Sequence, residues 1–410
     1  MDQPRDRAIL YGAAFLRATA TGMVAVLLGI HLARLGFDPG AIGAVVAAGL
    51  SGAAFAALLV TLGGDRVGRR RVLLLLALAG AAGTALVAFA SQPALVGLAA
   101  FFGMLNGMGR DRGASMILDQ VVLPATTTDR TRTAAFARYN IAQDAGHALG
   151  SLLAGLPALL RTALPIGEQD SLRIGVGATA VLLLGTAVLY RGLSPAVEAT
   201  EGKRRPTLSP SSRRIVTRIS ALFALDGLGG GFLTTALLSY FFFARFGVGE
   251  GVIGLLFFGA RVMNAFSHLG AAWLARRIGL VNTMVFTHIP SSLLLVTVSI
   301  APSFAVAAAL FLLREGLVEM DVPTRQSYVM AVVAPEERTT ASGITHLVRL
   351  GAWAVAPAFA GIVMRAGSFA APLWIGAGMK ISYDVLLYAA FRSVRPPEER
   401  VDPGFLATKR

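Results

Sequence analysis

The chain contains no cysteine among its 410 residues. That removes disulfide scaffolds, thiolate metal sites, iron–sulfur clusters and thiol nucleophiles together. Carboxylates, imidazoles, guanidiniums and hydroxyls are left to carry any chemistry. Charge is scarce as well: 15% of residues are Asp, Glu, Lys or Arg, where an ordinary soluble domain has about a quarter. Within that small set the acids are outnumbered, 23 against 37 Lys and Arg. Also missing are the metalloprotease pattern H-E-x-x-H, a nucleophile elbow of the form G-x-S-x-G, and a Gly-rich phosphate loop ending in Lys-Ser/Thr. An enzyme and an ATP-driven machine are therefore not expected, and neither a cofactor nor a metal is.

What is abundant is apolar length. Apolar residues make up 55% of the chain and the mean hydropathy is +0.66, values that belong to a bilayer. A spanning helix needs about 20 mostly apolar residues. Such stretches run, approximately, over 9–31, 40–62, 72–90, 95–118, 134–160, 173–190, 215–243, 252–274, 281–300, 303–327, 340–364 and 372–391. The fold class expected is thus an all-α membrane protein with twelve transmembrane helices in two pseudo-symmetric six-helix bundles. The opening MDQPRDR lacks the form of a cleaved signal peptide. The net charge of +14 invites a nucleic-acid partner, but the basic residues collect on one side of the spans, among them Arg66, Arg69, Arg70, Arg71, Lys203, Arg204, Arg205, Arg213 and Arg214. By the positive-inside rule this places both termini in the cytoplasm, in a cell (inner) membrane, and removes the need for nucleic acid.

The two halves of the sequence are similar to each other. At an offset of 211, Gly36 to Gly43 falls on Gly247 to Gly254, Gly68 on Gly279, and Leu123-Pro124 on Ala334-Pro335; after a five-residue indel the offset 206 pairs Gly155 with Gly361. The domains expected are residues 1–190 and 215–410, joined by a basic cytoplasmic linker at 191–214. Paired six-helix halves are the internal symmetry of one large transporter class.

The residues behind a family resemblance lie first between the second and third spans. Thr61 to Arg71 reads T-L-G-G-D-R-V-G-R-R-R. This resembles the G-x-x-x-D-R/K-x-G-R-R/K signature of the major facilitator superfamily, with Thr61 in place of the leading Gly. The resemblance implies that Asp65, Arg66, Gly68, Arg69 and Arg70 clamp a cytoplasmic gate; the second-half copy has Arg276 opposite Asp65 and is expected to clamp more weakly. A second pattern, Gly146 to Gly155, is similar to the fifth-helix motif of exporters, with Ser151 for its Pro and Ala154 for one Gly; its repeat mate keeps Pro357 and Gly361. Close helix packing is the other reading of such small residues four apart. The fourth span carries Asn106-Gly107-Met108-Gly109, which looks like part of the drug/proton antiporter motif, although Gly103 stands where that motif has Arg and Arg314 appears at the equivalent second-half position. Of the family's branches, the efflux and drug-proton antiporters are closest in pattern.

Ionisable side chains at membrane depth are costly and by default mark a pathway. The candidates for a substrate and proton cavity are Arg17, Arg110, Asp111, Asp144, Asp226, Arg314, Glu315, Glu319 and Asp321. In the resembled family, helices 1, 4, 7 and 10 line the cavity. Arg17 and Asp226 sit at nearly equivalent depth and are expected to meet across it or to hold a zwitterion together. Glu315 and Glu319, one turn apart, suit a proton carrier, unless Arg314 or Arg325 neutralises Glu319 or Asp321. Successive residues of a helix point about 100° apart, so Arg110, Asp111 and Arg112 cannot all face inward. His147 lies on the face of Asp144, and Lys380 with Asp384 reads as an internal neutralising pair. The function expected is proton-coupled export of a small organic solute by alternating access, as a monomer in the lipid bilayer. Proton-linked uptake of an organic anion, and a receptor or assembly protein on the same scaffold, are the alternatives.

Overall fold

The computed structural model describes residues 3–127, 132–198, 208–321, 325, 333 and 337–391; the side chain of Asp65, most of the expected linker and the tail 392–410 lie outside this set. Among the described residues the chain is helical, with turns and no strand. The first half holds α1 (Pro4–Arg34), α2 (Pro39–Val67), α3 (Arg69–Phe89), α4 (Pro93–Phe102), α5 (Ala114–Ala125), α6 (Arg132–Leu153), α7 (Leu156–Ala163) and α8 (Glu168–Arg191). The second holds α9 (Pro210–Gly231), α10 (Thr235–Phe246), α11 (Glu250–Ile278), α12 (Leu280–Ser299), α13 (Phe304–Val318), α14 (Arg338–Arg365) and α15 (Ala371–Phe391). Among the described residues, eight stretches are long and apolar enough to cross a bilayer unaided.

The expected spans are not all continuous. The span 95–118 breaks between α4 and α5, 215–243 between α9 and α10, 134–160 between α6 and α7, and α13 stops at Val318 inside 303–327. Four glycines between 103 and 113 weaken the helix there. Met104 at φ 52° and Gly109 at φ 73° take left-handed backbone that no helix contains. The polar backbone groups freed by the breaks find partners in each other. The Ala236 amide at the start of α10 donates to the Gly107 carbonyl at 3.0 Å, and Thr235 Oγ1 donates to the Met108 carbonyl at 2.9 Å. Asn106 folds the loop by accepting from the Met108 amide and donating to the Arg110 carbonyl. Irregular backbone at membrane depth survives only where such bonds are made. The Asn106-Gly107-Met108-Gly109 stretch, expected to be helical, is the centre of that break.

The two sequence halves meet along seams at the end of the molecule that carries the α1–α2 turn. A Cβ on Gly43 would stand 2.3 Å from the Pro357 carbonyl oxygen and 2.8 Å from the Gly361 Cα, so α2 and α14 touch backbone to backbone. The repeat mate of this contact brings α11 onto α6: a Cβ on Gly254 would lie 2.5 Å from the Ser151 carbonyl oxygen, and Gly155 packs on Gly251. Ion pairs close the same end, Arg161 to Glu250 at 2.6 Å and the looser Arg365 to Asp38 at 3.9 Å. A buried apolar cluster runs through it from Leu27 and Ile30 of α1 to Phe242 and Phe311, whose rings stand 5.6 Å apart edge to face. Gly146 and Gly150 serve packing inside the first half, where a Cβ on Gly150 would be 2.1 Å from the Thr19 carbonyl oxygen. The small-residue motif read as a mark of export is thus accounted for by close helix contact.

At the opposite end Gly68, at φ 100°, turns α2 into α3. The Glu198 carboxylate accepts from the Arg69 and Arg70 amides at 2.6 and 3.3 Å, capping the positive end of α3, and Arg70 Nη2 donates to the Arg191 carbonyl. The described contacts of this loop therefore tie it to its own half. In the second half Glu337 accepts from the Ser209 amide and hydroxyl, strapping α9 to α14. Hydrogen bonds from Ser212 and Ser209 hold its carboxyl below the usual carboxylate range.

Candidate functional site

Arg17 of α1 sits 6% exposed at the centre of an acid cage. Its Nε bonds Asp111 and its Nη1 bonds Tyr190, while Nη2 donates to Asp119 at 2.8 Å and to Tyr139 at 3.2 Å. The tyrosine hydroxyls in turn donate to Asp119, at 2.9 Å from Tyr139 and 3.1 Å from Tyr190, and Gln143 donates to Asp111. The Asp111 amide donates to His147 Nε2 at 2.8 Å, which occupies that histidine as a packing residue. Every nitrogen of the guanidinium is engaged, four of its five N–H donors being spent within the first half.

The second half inverts this arrangement. Asp226, at the hub, accepts from Arg349 Nη2 at 2.7 Å and from Lys380 Nζ at 2.9 Å, with Arg325 Nη1 at 3.4 Å. Arg325 also bonds Asp321. Lys380 reaches His288 Nε2 at 3.3 Å, and His288 Nδ1 meets Asp384 at 3.0 Å. Two expectations are corrected here. Arg17 and Asp226 do not meet, because each is consumed by opposite charges of its own half. Lys380 and Asp384 do not neutralise each other: they diverge to Asp226 and His288.

Between the two hubs lies a central cavity. Its lining carries Arg110, Arg112, Arg261, Arg314, Arg349 and Lys380 against Asp226, Glu315, Glu319 and Asp321, two cations more than carboxylates. Apolar walls come from Leu50, Leu233, Leu238, Phe257, Phe311 and Trp353. Arg110 crosses the cavity, pairing with Glu319 at 3.1 Å and donating to Asn264 at 2.6 Å. Asn264 in turn donates to Glu315 Oε2 at 2.8 Å, and Arg314 bonds the other oxygen of Glu315. The two carboxylates expected to act together are therefore held apart, in separate ion pairs. The expectation that residues 110–112 cannot all face inward holds, but not through 100° helical steps. In the non-helical break, side chains alternate as in an extended chain, so Arg110 and Arg112 both line the central cavity while Asp111 turns to Arg17. Asp144 is exposed and outside the cavity lining.

Beyond the neutral partners Tyr139, Gln143, Tyr190 and Asn264, three carboxylate or imidazole groups were not read from the sequence. Asp119 lies one residue past the expected end of the fourth span, yet is fully buried, because the break gives the segment more residues than a straight helix needs. His288 sits mid-span in α12, an intramembrane histidine that the pathway rule alone could have flagged. Glu198 falls in a polar turn with no distinguishing pattern, and only tertiary contact shows its capping role.

The family model described as Major Facilitator Superfamily matches residues 10–349. The uncharacterized membrane protein YJR124C of Saccharomyces cerevisiae is 23% identical over 428 aligned residues, which cover 95% of each chain. Among solved structures, an auto-inhibited POT family peptide transporter superposes with a TM-score of 0.74 at 12% identity, covering 98% of this chain and 99% of that one. The nucleoside transporter NupG gives 0.72 at 17% identity, over 94% and 99%. A bacterial homolog of the human lysosomal transporter Spinster, inward-facing and unoccupied, gives 0.68 at 14% identity, over 98% and 100%. These likenesses concern the fold.

Proposed function

The chain belongs to the major facilitator superfamily, and from that premise we propose that this membrane transporter moves a small organic solute by alternating access, with protons as the coupling ion. The observation that carries the reading is a cavity at the helix breaks, lined by charged groups of both halves and crossed by the Arg110–Glu319 pair. Positive-inside loops support assigning the α2–α3 end to the cytoplasm. The glycine seams and the Arg161–Glu250 pair then form the closed outer gate. The six-helix halves, 1–190 and 215–410, rock about the cavity, and the Asp65 loop locks the inner end when it closes.

Glu319 is the proton-binding group in this reading. Among the described residues, its ion pair with Arg110 is the one that spans the cavity from one half to the other. Its Oε2, the oxygen that faces Arg110 Nη1, is buried and has no other polar partner among the described residues. Protonation removes the charge that holds Arg110 and frees the halves to separate, so a proton and a conformational change are exchanged at one atom. Spin labels test the rocking without a known solute. One pair at residues 163 and 249 reports the outer end and one at 71 and 277 the inner end. Reciprocal changes in the two distance distributions between pH 5 and pH 8 are expected in proteoliposomes; two invariant single distances would rule the reading out.

A further inference from the structure

Two guanidiniums of the cavity lack an ion-pair partner among the described residues. Among the described residues no carboxylate lies within ion-pair distance of Arg112 or Arg261, whereas Arg110, Arg314, Arg349 and Lys380 each have one. Arg112 comes from the break in the first half and rests on the Trp353 ring, 5.1 Å from its centroid, a ring that Arg349 also approaches at 4.8 Å. Arg261 comes from α11 in the second half and lies against Gly109, where a Cβ would be 3.0 Å from its Nη2; its Nε is buried without a hydrogen-bond partner. Desolvating a charge costs several kcal/mol; here it is met only by carboxylates beyond ion-pair distance, among them Glu319 for both arginines and Glu315 for Arg261, and such partial compensation points to a ligand. The two cations stand on opposite halves and line one cavity, whose apolar wall includes Phe257, Phe311 and Trp353.

We propose that the solute is an amphipathic organic anion whose carboxylate or phosphate head is held between Arg112 and Arg261, with its apolar body against Phe257, Phe311 and Trp353. This rests on the transport reading and adds the substrate class. The arginines among the cavity residues expected from the sequence, Arg17, Arg110 and Arg314, are already paired with carboxylates of the protein. A guanidinium on each half also gives the anion a mechanical part, since one head group ties both halves together in the loaded state.

Trp353 supplies a local reporter. In the full-length protein carrying Trp273→Phe and Trp374→Phe, its emission is titrated with hexanoate, hexyl phosphate, hexanol and hexylamine, which share one apolar body. Saturable changes with the two anions and none with the alcohol or the amine are expected; the tighter of the two anions identifies the head group. Arg112→Gln and Arg261→Gln should each weaken anion binding about 10- to 100-fold, the loss of a charge-assisted contact, and Arg112→Lys should retain part of it. Neither Gln variant breaks an ion pair, so both should melt no lower than wild type. Equal responses to hexanol or hexylamine, or unchanged anion affinity in both Gln variants, would overturn the anion site. Invariant spin-label distances alongside anion-selective binding would instead sink the transport reading and leave the site standing.

Discussion

Arg17 and Asp226 stand two residues apart under the repeat offset of 211, yet their surroundings are inverted: one cation among acids and tyrosines, one acid among cations. The first hub is closed. Arg17 spends its donors on Asp111, Asp119, Tyr139 and Tyr190, and the hub ties α1, α5, α6 and α8 into one body. The second hub opens on the cavity through Asp226, Arg349, Lys380 and His288, and it uses long side chains that can repair with other partners. The two hubs of a duplicated scaffold have therefore diverged: the first spends its central charge within its own half, whereas the second faces the central cavity, to which the first half contributes Arg110 and Arg112 instead.

The comparison can be broken most forcefully at Arg17. Arg17→Met leaves Asp111 and Asp119 buried without their cation, and breaking a buried pair from one side costs about 3–5 kcal/mol. The protein should melt well below wild type in detergent, with solute affinity per folded molecule unchanged. Asp226→Asn should cost less, about 1–3 kcal/mol, because the cations it releases face the cavity, but it should abolish proton movement in proteoliposomes with an imposed pH gradient. A larger stability loss at Asp226 than at Arg17 would reverse the assignment of the closed and the cavity-facing hub. Tyr139→Phe, which removes one hydroxyl donor from Asp119, should lower stability by about 1 kcal/mol and leave coupling intact. Smaller still is a change outside both hubs. Because the Glu337 carboxyl is held below its ordinary range by Ser212 and Ser209, its contribution is present above the unfolded-state pKa and lost as pH falls through the folded one. Melting of Glu337→Gln across pH 3 to 6 should lack that acid-side slope.

Much of the fold was legible because it is written in periodic or symmetric features. Apolar length predicts the spans, and the repeat pairs Gly43 with Gly254 and Gly155 with Gly361, the residues that meet in the two seams. The Asp65 signature likewise identified the family matched over residues 10–349. The site was legible only as a list. Apolar periodicity gives a helix and a depth, but the partner of a buried charge depends on helix rotation and on where the backbone leaves the helix. Arg110, Asp111 and Arg112 show this directly: the helical rule scatters them by 100° steps, whereas the break sorts them alternately between the cavity and Arg17. The pairing of Arg17 with Asp226 failed for the same reason, since Asp119 had been placed outside the span that buries it.

The central claim is that a proton and a conformational change meet at Glu319. The most direct test follows the distance between labels at residues 163 and 249 from pH 8 to pH 5, in the wild-type background and in Glu319→Gln. The account predicts an outer end that opens on acidification in the first and a distance distribution independent of pH in the second. A Glu319→Gln protein that follows the wild-type pH response would contradict it.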